Sequence, residues 1–295
     1  MPKIHANGVD LYYEEAGDPT APAILLIMGL GTQLIAWPDA MIDGLVTAGY
    51  RVIRYDNRDI GLSTYLDSAP AVHPIWAMAA KRFGLPCPIA YSLKDMAADA
   101  IALMDHLDIA AAHIVGASMG GMIAQIVAAT SPERVISLTS IMSSSGAPGL
   151  PGPAPELRKL LMARRPAHPT PAEATAAGAA TLELISYPDP ERGPAAFQSM
   201  AARAFERGFN PKGVRRHLLA IIADGSRATR LARIKAPTLV IHGAADRLVP
   251  LACSEDIARR VPGARLEVVN EMAHDLPPSQ IARVVALITT HIDAR

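Results

Sequence analysis

Small residues surround one serine at the point where an apolar segment gives way to a helical pattern. Residues 116–120 read Gly-Ala-Ser-Met-Gly, and Gly121 follows. In this G-x-S-x-G arrangement a strand turns at once into a helix, and the middle residue is held in a strained backbone conformation. Residues on either side are driven together, so only very small ones fit. The pattern predicts that Ser118 is an exposed nucleophile; the alternative is a small residue in an ordinary tight turn.

A serine hydroxyl needs a base within hydrogen-bond reach, and the base needs an orienting acid. In chains with this serine motif the order is serine, acid, histidine. The later histidines in less suitable places lie in an irregular helical stretch, an apolar strand or the last helix: His168, His217, His242 and His291. His274 remains, in a loop between the last strand and the last helix. We predict that it is the base rather than a solvated loop histidine.

The acid is expected in the loop after the preceding strand. Residues 243–250 read Gly-Ala-Ala-Asp-Arg-Leu-Val-Pro, so Asp246 is the only carboxylate there. Asp246 could instead merely cap the helix that follows. Asp275 is a weaker rival, because its side chain should point away from its neighbour His274.

An oxyanion formed at the serine would need two backbone N–H donors. Met119 should supply one, because it follows the nucleophile at a helix N-terminus. Leu30 should supply the other, since Gly29 and Gly31 let the backbone approach a substrate.

The elements that must position these residues alternate between strand and helix. Apolar or alternating segments predict strands at 9–15, 23–28, 51–55, 112–115, 135–142, 238–242 and 266–269. Helical patterns cover 39–48, 95–106, 119–129, 251–260 and 279–292. This alternation predicts an α/β fold with a mostly parallel sheet and helices on both faces. Residues 147–225 break the alternation with short helices and prolines, so we expect a core of 1–146 and 226–295 interrupted by a helical cap.

Composition narrows the function classes. The 295-residue chain is half hydrophobic and carries 28 basic and 28 acidic residues. A formal net charge of zero argues against nucleic-acid and membrane-surface partners. Two cysteines make no disulfide framework, the N-terminus shows no signal-peptide pattern, and no metal-binding His-Glu-x-x-His pair occurs. We therefore expect a cytoplasmic enzyme without a metal or other cofactor, acting on a small molecule.

Two further segments carry a family resemblance. Residues 28–33 (Met-Gly-Leu-Gly-Thr-Gln) and 56–63 (Asp-Asn-Arg-Asp-Ile-Gly-Leu-Ser) resemble the α/β-hydrolase superfamily, in its esterase branch of aclacinomycin methylesterase and macrolide esterases. Proline iminopeptidases are similar but more distant. The resemblance implies the triad, the two oxyanion donors and a cap over the pocket. Many members have His-Gly where this chain has Met28-Gly29, so a side-chain brace of the oxyanion loop is missing. Asp56 and Arg58 are expected to brace the neighbouring loop by hydrogen bonds.

The resulting hypothesis is a serine carboxylic-ester hydrolase that works through an acyl-enzyme on a fairly apolar or bulky ester or a macrolide-type lactone. The expected pocket residues are Gly29, Trp37, Trp76, Met162 and Leu248, although apolar cap residues are more often the cap's own core. The cap arginines should form a solvated face: Arg164, Arg165, Arg203 and Arg207. The same triad could serve a thioesterase, lactonase, carbon–carbon hydrolase, peptidase or cofactor-free perhydrolase, or the fold could be a ligand receptor.

Overall fold

A computed structural model describes residues 3–69, 72–86, 89–163 and 169–294. Cys87, one of the two cysteines, lies outside these ranges, as do His168, Arg164 and Arg165. The described strands form one eight-stranded sheet in the order β1-β2-β4-β3-β5-β6-β7-β8. Strands β3 to β8 pair in parallel, whereas β1 pairs antiparallel with β2, and β2 antiparallel with β4. The predicted α/β class is confirmed.

The strands are short, as is usual for a sheet of this type. They are β1 (Lys3–Ala6), β2 (Val9–Ala16), β3 (Ala23–Ile27), β4 (Arg51–Tyr55), β5 (Ala112–Ala117), β6 (Val135–Ile141), β7 (Thr238–Gly243) and β8 (Arg265–Val269).

The helices of the described residues are α1 (Asp39–Thr47), α2 (Pro74–Arg82), α3 (Leu93–His106), α4 (Met119–Thr130), α5 (Pro155–Met162), α6 (Pro171–Ile185), α7 (Ala196–Arg207), α8 (Pro211–Asp224), α9 (Ala228–Leu231), α10 (Ala252–Arg260) and α11 (Ile281–Asp293). None of them is long and apolar enough to cross a membrane.

The two faces of the sheet bury separate apolar layers. Successive residues of a strand point to opposite faces, so neighbouring residues of β3 belong to different layers. Leu25 packs with α3 and α4, while Ile24 packs with α1 and α11. Both side chains are almost completely buried. This two-sided cover explains why 23–27 is continuously apolar, and it makes the strand ends a rigid platform.

The N-terminal strand β1 is absent from the sequence prediction. It forms a hairpin with β2 through Asn7 and Gly8, whose φ values are +49° and +77°. Two positive φ values suit the tight hairpin turn that Asn-Gly favours. The Asn-Gly pair was therefore the local signal for this hairpin.

Helices α5 to α8 are inserted between β6 and β7. Within the described part of this stretch there is no strand between Ile141 and Thr238. The inserted helices reach the core through buried ion pairs. Arg216 of α8 makes two bonds of 2.7 and 2.6 Å to Asp59, and both side chains are at most 1% exposed.

Candidate active site

The turn between β5 and α4 holds Ser118 in a strained conformation. Its φ of +55° and ψ of −117° are unusual for a residue with a side chain. A Cβ atom on Gly116 would lie 2.3 Å from the carbonyl oxygen of Gly120, and one on Gly120 would lie 1.9 Å from that of Ile27. Both positions therefore require glycine. Strand β6 holds the turn, since the Ser118 N–H donates to the Ile141 carbonyl oxygen at 2.9 Å.

Three side chains predicted from separate parts of the chain meet at this edge of the sheet. His274 Nε2 lies 2.9 Å from Ser118 Oγ, and His274 Nδ1 lies 2.7 Å from Asp246 Oδ2. Ser118 and His274 are 156 residues apart in sequence, and His274 and Asp246 are 28 apart. Hydroxyl, imidazole and carboxylate thus lie in one hydrogen-bonded line. This arrangement can transfer the hydroxyl proton to the imidazole while the carboxylate stabilises the imidazolium.

The turn after β7 fixes the carboxylate of Asp246. Its Oδ1 accepts from the backbone N–H groups of Leu248 at 2.9 Å and Val249 at 2.8 Å. Oδ2 is thereby turned toward His274. Asp246 orders the turn before α10 and contacts the histidine at the same time.

The rival carboxylate belongs to a different contact. Asp275 Oδ2 accepts from the Arg192 guanidinium at 2.6 Å, and Asp275 Oδ1 accepts from the Tyr187 N–H at 3.1 Å. Both donors lie between α6 and α7. The neighbouring His274 N–H donates to the Ile185 carbonyl oxygen at 3.0 Å. Asp275 therefore anchors the histidine loop to the inserted helices rather than orienting the imidazole.

A second imidazole lies behind the acid. His242 is completely buried, with Nε2 2.8 Å from the Val249 carbonyl oxygen and 3.6 Å from Asp246 Oδ2. Because that carbonyl can only accept, Nε2 carries the proton. Nδ1 contacts Ser254 Oγ at 2.7 Å. Burial lowers the pKa of His242, although Asp246 opposes the shift. His242 was set aside above as a strand residue, and its contact with Asp246 was missed.

The loop after β3 lies against the nucleophile. A Cβ on Gly29 would be 3.1 Å from the Ser118 Cβ and 3.6 Å from Oγ. Leu30 follows and is half-buried, while Met119 is the first residue of α4 and is completely buried. Gly29 and Ser118 lie in close contact. The two predicted N–H donors, Leu30 and Met119, are the residues that directly follow them.

Several side chains brace this loop in place of the missing histidine. Asn57 Nδ2 donates to the Met28 carbonyl oxygen at 2.9 Å, and the Leu34 N–H donates to Asp56 Oδ1 at 2.8 Å. The Gly31 N–H donates to Nδ1 of His217 on α8 at 3.2 Å. The predicted bracing role of Asp56 is confirmed. His217 was missed, because no local pattern indicates a contact across 186 residues.

The 56–63 segment contains a second confirmed brace. Arg58 binds Asp99 of α3 through Nε at 2.7 Å, and both side chains are buried. Burial raises the pKa of Asp99, although its hydrogen bonds from Arg58 act in the opposite direction. The segment is therefore fixed to helix α3 of the core by a buried ion pair.

The pocket predictions need correction at both tryptophans. Trp37 is completely buried in the apolar layer with α1 and α11, so it has no surface to offer a ligand. Trp76 is 73% exposed on α2, so its side chain lies in solvent rather than in a pocket wall. Met162, the last residue of α5, is half-buried, and so is Leu248, two residues after Asp246. Gly29 lies against the nucleophile, since a Cβ placed on it would be 3.6 Å from Ser118 Oγ.

The prediction of a solvated arginine face fails at Arg207. Arg203 is exposed, but one turn later the Arg207 side chain is only 13% exposed. Its Nη1 donates to Asp56 Oδ2 at 2.6 Å and to Gln33 Oε1 at 2.9 Å. Arg207 therefore points toward the core, where its guanidinium pairs with the buried carboxylate of Asp56.

No group of three or more His, Cys, Asp or Glu side chains in the described ranges could hold a metal ion. Cys253 is a buried free thiol, and burial raises its pKa.

Residues 22–278 match the family model described as the alpha/beta hydrolase fold. The chain belongs to this family. The resemblance to the α/β-hydrolase superfamily is thereby confirmed.

Individual relatives agree over almost the full length. Rhodomycin D methylesterase of Streptomyces peucetius is 30% identical over 311 residues, covering 99% of this chain and 97% of the relative. Its counterpart in Streptomyces sp. strain C5 is also 30% identical, with the same coverage. Among solved structures, the enol-lactonase from Burkholderia xenovorans LB400 superposes with a TM-score of 0.72 at 25% identity, covering 99% of this chain and 98% of that one. The resemblance to an esterase branch of the family is confirmed.

Proposed function

We propose that this α/β-hydrolase is a serine carboxylic-ester hydrolase with Ser118 as nucleophile, His274 as base and Asp246 as orienting acid. The observation that carries the proposal is the hydrogen-bonded line of 2.9 and 2.7 Å through the two nitrogens of His274. The full-length methylesterase relatives support ester hydrolysis in particular. The inserted helices α5 to α8 act as a cap.

The proposed reaction is acyl transfer in two steps. His274 takes the Ser118 proton as Oγ attacks the ester carbonyl, and the N–H groups of Leu30 and Met119 stabilise the oxyanion. The intermediate collapses to an acyl-enzyme when His274 Nε2 protonates the leaving alcohol. Water then attacks, gives its proton to His274 and releases the acid, and Ser118 recovers its proton.

The proposed substrate is an ester carried by a fairly apolar or bulky small molecule. The methylesterase relatives make methyl esters the first class to test, and the enol-lactonase neighbour makes lactones the second. We would compare kcat/KM on a panel of methyl esters, lactones, thioesters and peptides. This comparison distinguishes an esterase from a lactonase, a thioesterase and a peptidase. Higher kcat/KM on peptides or thioesters would contradict the proposed ester hydrolysis.

Fluorophosphonate labelling tests the nucleophile. The wild-type chain should be labelled and should turn over a simple ester, while Ser118→Ala should lose labelling and about 10⁴-fold or more in kcat. Ser131→Ala is the matched control, since Ser131 caps the opposite end of α4. A Ser118→Ala variant that keeps its label and a near-normal rate would overturn the proposal. Tight ligand binding by the wild type without turnover would instead support a receptor.

A further inference from the structure

One buried histidine of the inserted helices lies between two loops of the core. His217 is on α8 and has no exposed surface. Its Nδ1 accepts from the Gly31 N–H at 3.2 Å, and its Nε2 lies 2.8 Å from the Arg58 carbonyl oxygen. The first partner can only donate and the second can only accept. The ring is therefore neutral, with its proton on Nε2.

The surroundings suit a neutral ring. Burial lowers the pKa of His217 to about 4. The charged neighbours are already paired with each other, since Arg216 binds Asp59 and Arg58 binds Asp99. Nδ1 therefore keeps its lone pair for the Gly31 N–H at neutral pH.

Helix α8 also presses on the same loop by direct contact. Gly31 has a φ of +64°, and a Cβ placed on it would lie 2.9 Å from both methyl groups of Val214. The neighbouring Gln33 adds two bonds to the end of α7, donating to the carbonyl oxygens of Ala204 at 2.7 Å and Gly208 at 2.8 Å. The loop is thus clamped between the nucleophile turn and the inserted helices.

We propose that His217 is a positioning residue for the oxyanion loop. Its bond to Gly31 fixes the peptide next to Leu30, and it supplies from the inserted helices the brace that Met28-Gly29 lacks. The proposal rests on the proposed function, because it assigns a catalytic consequence to the position of Leu30. The proposal further implies that α7 and α8 keep their position against the oxyanion loop during turnover.

Two conservative substitutions separate the two bonds of the ring. In His217→Asn the amide oxygen can replace Nδ1 and accept from Gly31, whereas in His217→Gln the amide nitrogen can replace Nε2 and donate to Arg58. We expect His217→Gln to lower kcat on a simple ester by roughly 10- to 100-fold with KM within about twofold, because a displaced donor weakens only the transition state. His217→Asn should keep several-fold more kcat than His217→Gln. His106→Ala, at the exposed end of α3, is the control and should match the wild type.

A purely structural role predicts a different pattern. If the Asn and Gln variants have equal kcat, or if KM rises while kcat stays constant, the proposal is wrong. Circular dichroism and urea unfolding of each variant show whether it is folded at the assay temperature. If Ser118→Ala stays active, the proposed function fails; if Ser118→Ala is inactive but both His217 variants match the wild type, only the present proposal fails.

A perturbation from the loop side covers the case in which neither His217 variant folds. Gly31→Ala places a methyl group against Val214, so it should lower kcat while KM changes little. Adding Val214→Ala removes the overlap and should recover part of kcat, although the strain of the positive φ remains. Unchanged kcat in Gly31→Ala would overturn the proposal, since the loop position would then not matter.

Discussion

We expect Arg207→Ala and Arg203→Ala to differ in their effect on the free energy of unfolding, although both arginines lie on α7, one turn apart. Arg207→Ala leaves the carboxylate of Asp56 buried without its counter-ion, because Asp56 has no exposed surface. Two backbone donors would remain, the N–H groups of Leu34 and Leu62, at 2.8 and 2.9 Å. Arg203, one turn earlier on α7, is exposed and serves as the control.

The structure sets the size of the effect. Breaking a buried ion pair from one side costs roughly 3–5 kcal/mol, because the other charge stays buried. The remaining N–H donors stabilise Asp56 in part, so we expect Arg207→Ala to lower the free energy of unfolding by about 3 kcal/mol. Arg203→Ala should change it by less than about 0.5 kcal/mol.

Urea unfolding at pH 7.5 measures both variants, with the midpoint and the slope fitted separately. Adding Asp56→Asn to Arg207→Ala removes the unpaired charge and should restore part of the loss. Burial raises the pKa of Asp56 in the wild type, and without Arg207 it should rise further. The loss should therefore shrink as the pH falls and Asp56 takes up a proton. Equal losses in the two arginine variants, or no recovery with Asp56→Asn, would refute the reasoning.

Three further outcomes are expected. Gly120→Ala, whose Cβ would lie 1.9 Å from the Ile27 carbonyl oxygen, should destabilise the fold by roughly 3 kcal/mol in urea, whereas Gly193→Ala, with open space around it, should not. His217 has a pKa of about 4 in the fold and near 6.5 when unfolded, so the unfolded state binds more protons between these values. Stability should therefore fall by up to roughly 3 kcal/mol as the pH drops from 6.5 to 4, and a pH dependence equal to that of His217→Gln would contradict this. His242→Ala should lower kcat about tenfold with little change in KM, and His242→Gln should recover part of it; an unchanged kcat would rule out its support of the acid.

Local patterns were enough for the parts of this protein that depend on neighbouring residues. The glycines around Ser118 predicted the strained turn, since the overlap at Gly116 is with Gly120, only four positions away. The overlap at Gly120 is with the Ile27 carbonyl oxygen of a neighbouring strand, which the local pattern does not show. The apolar strand at 23–27 and the order of strands and helices predicted the α/β class. The order of elements also indicated that His274 and Asp246 follow two parallel strands, whose carboxyl ends share one edge of the sheet. The hairpin of Asn7 and Gly8 was equally local and was overlooked.

Tertiary structure decided which surface each side chain meets. Trp37 and Trp76 have the same chemistry, yet one lies in an apolar layer and the other in solvent. Arg207 turns inward because Asp56, 151 residues away, is buried opposite it. His217 contacts Gly31 across 186 residues. Such contacts depend on how the inserted helices pack on the core, and a packing interface leaves no periodic signal in either segment. The sequence alone therefore determined the strained serine turn and the order of the elements, while only the folded chain determined what supports them.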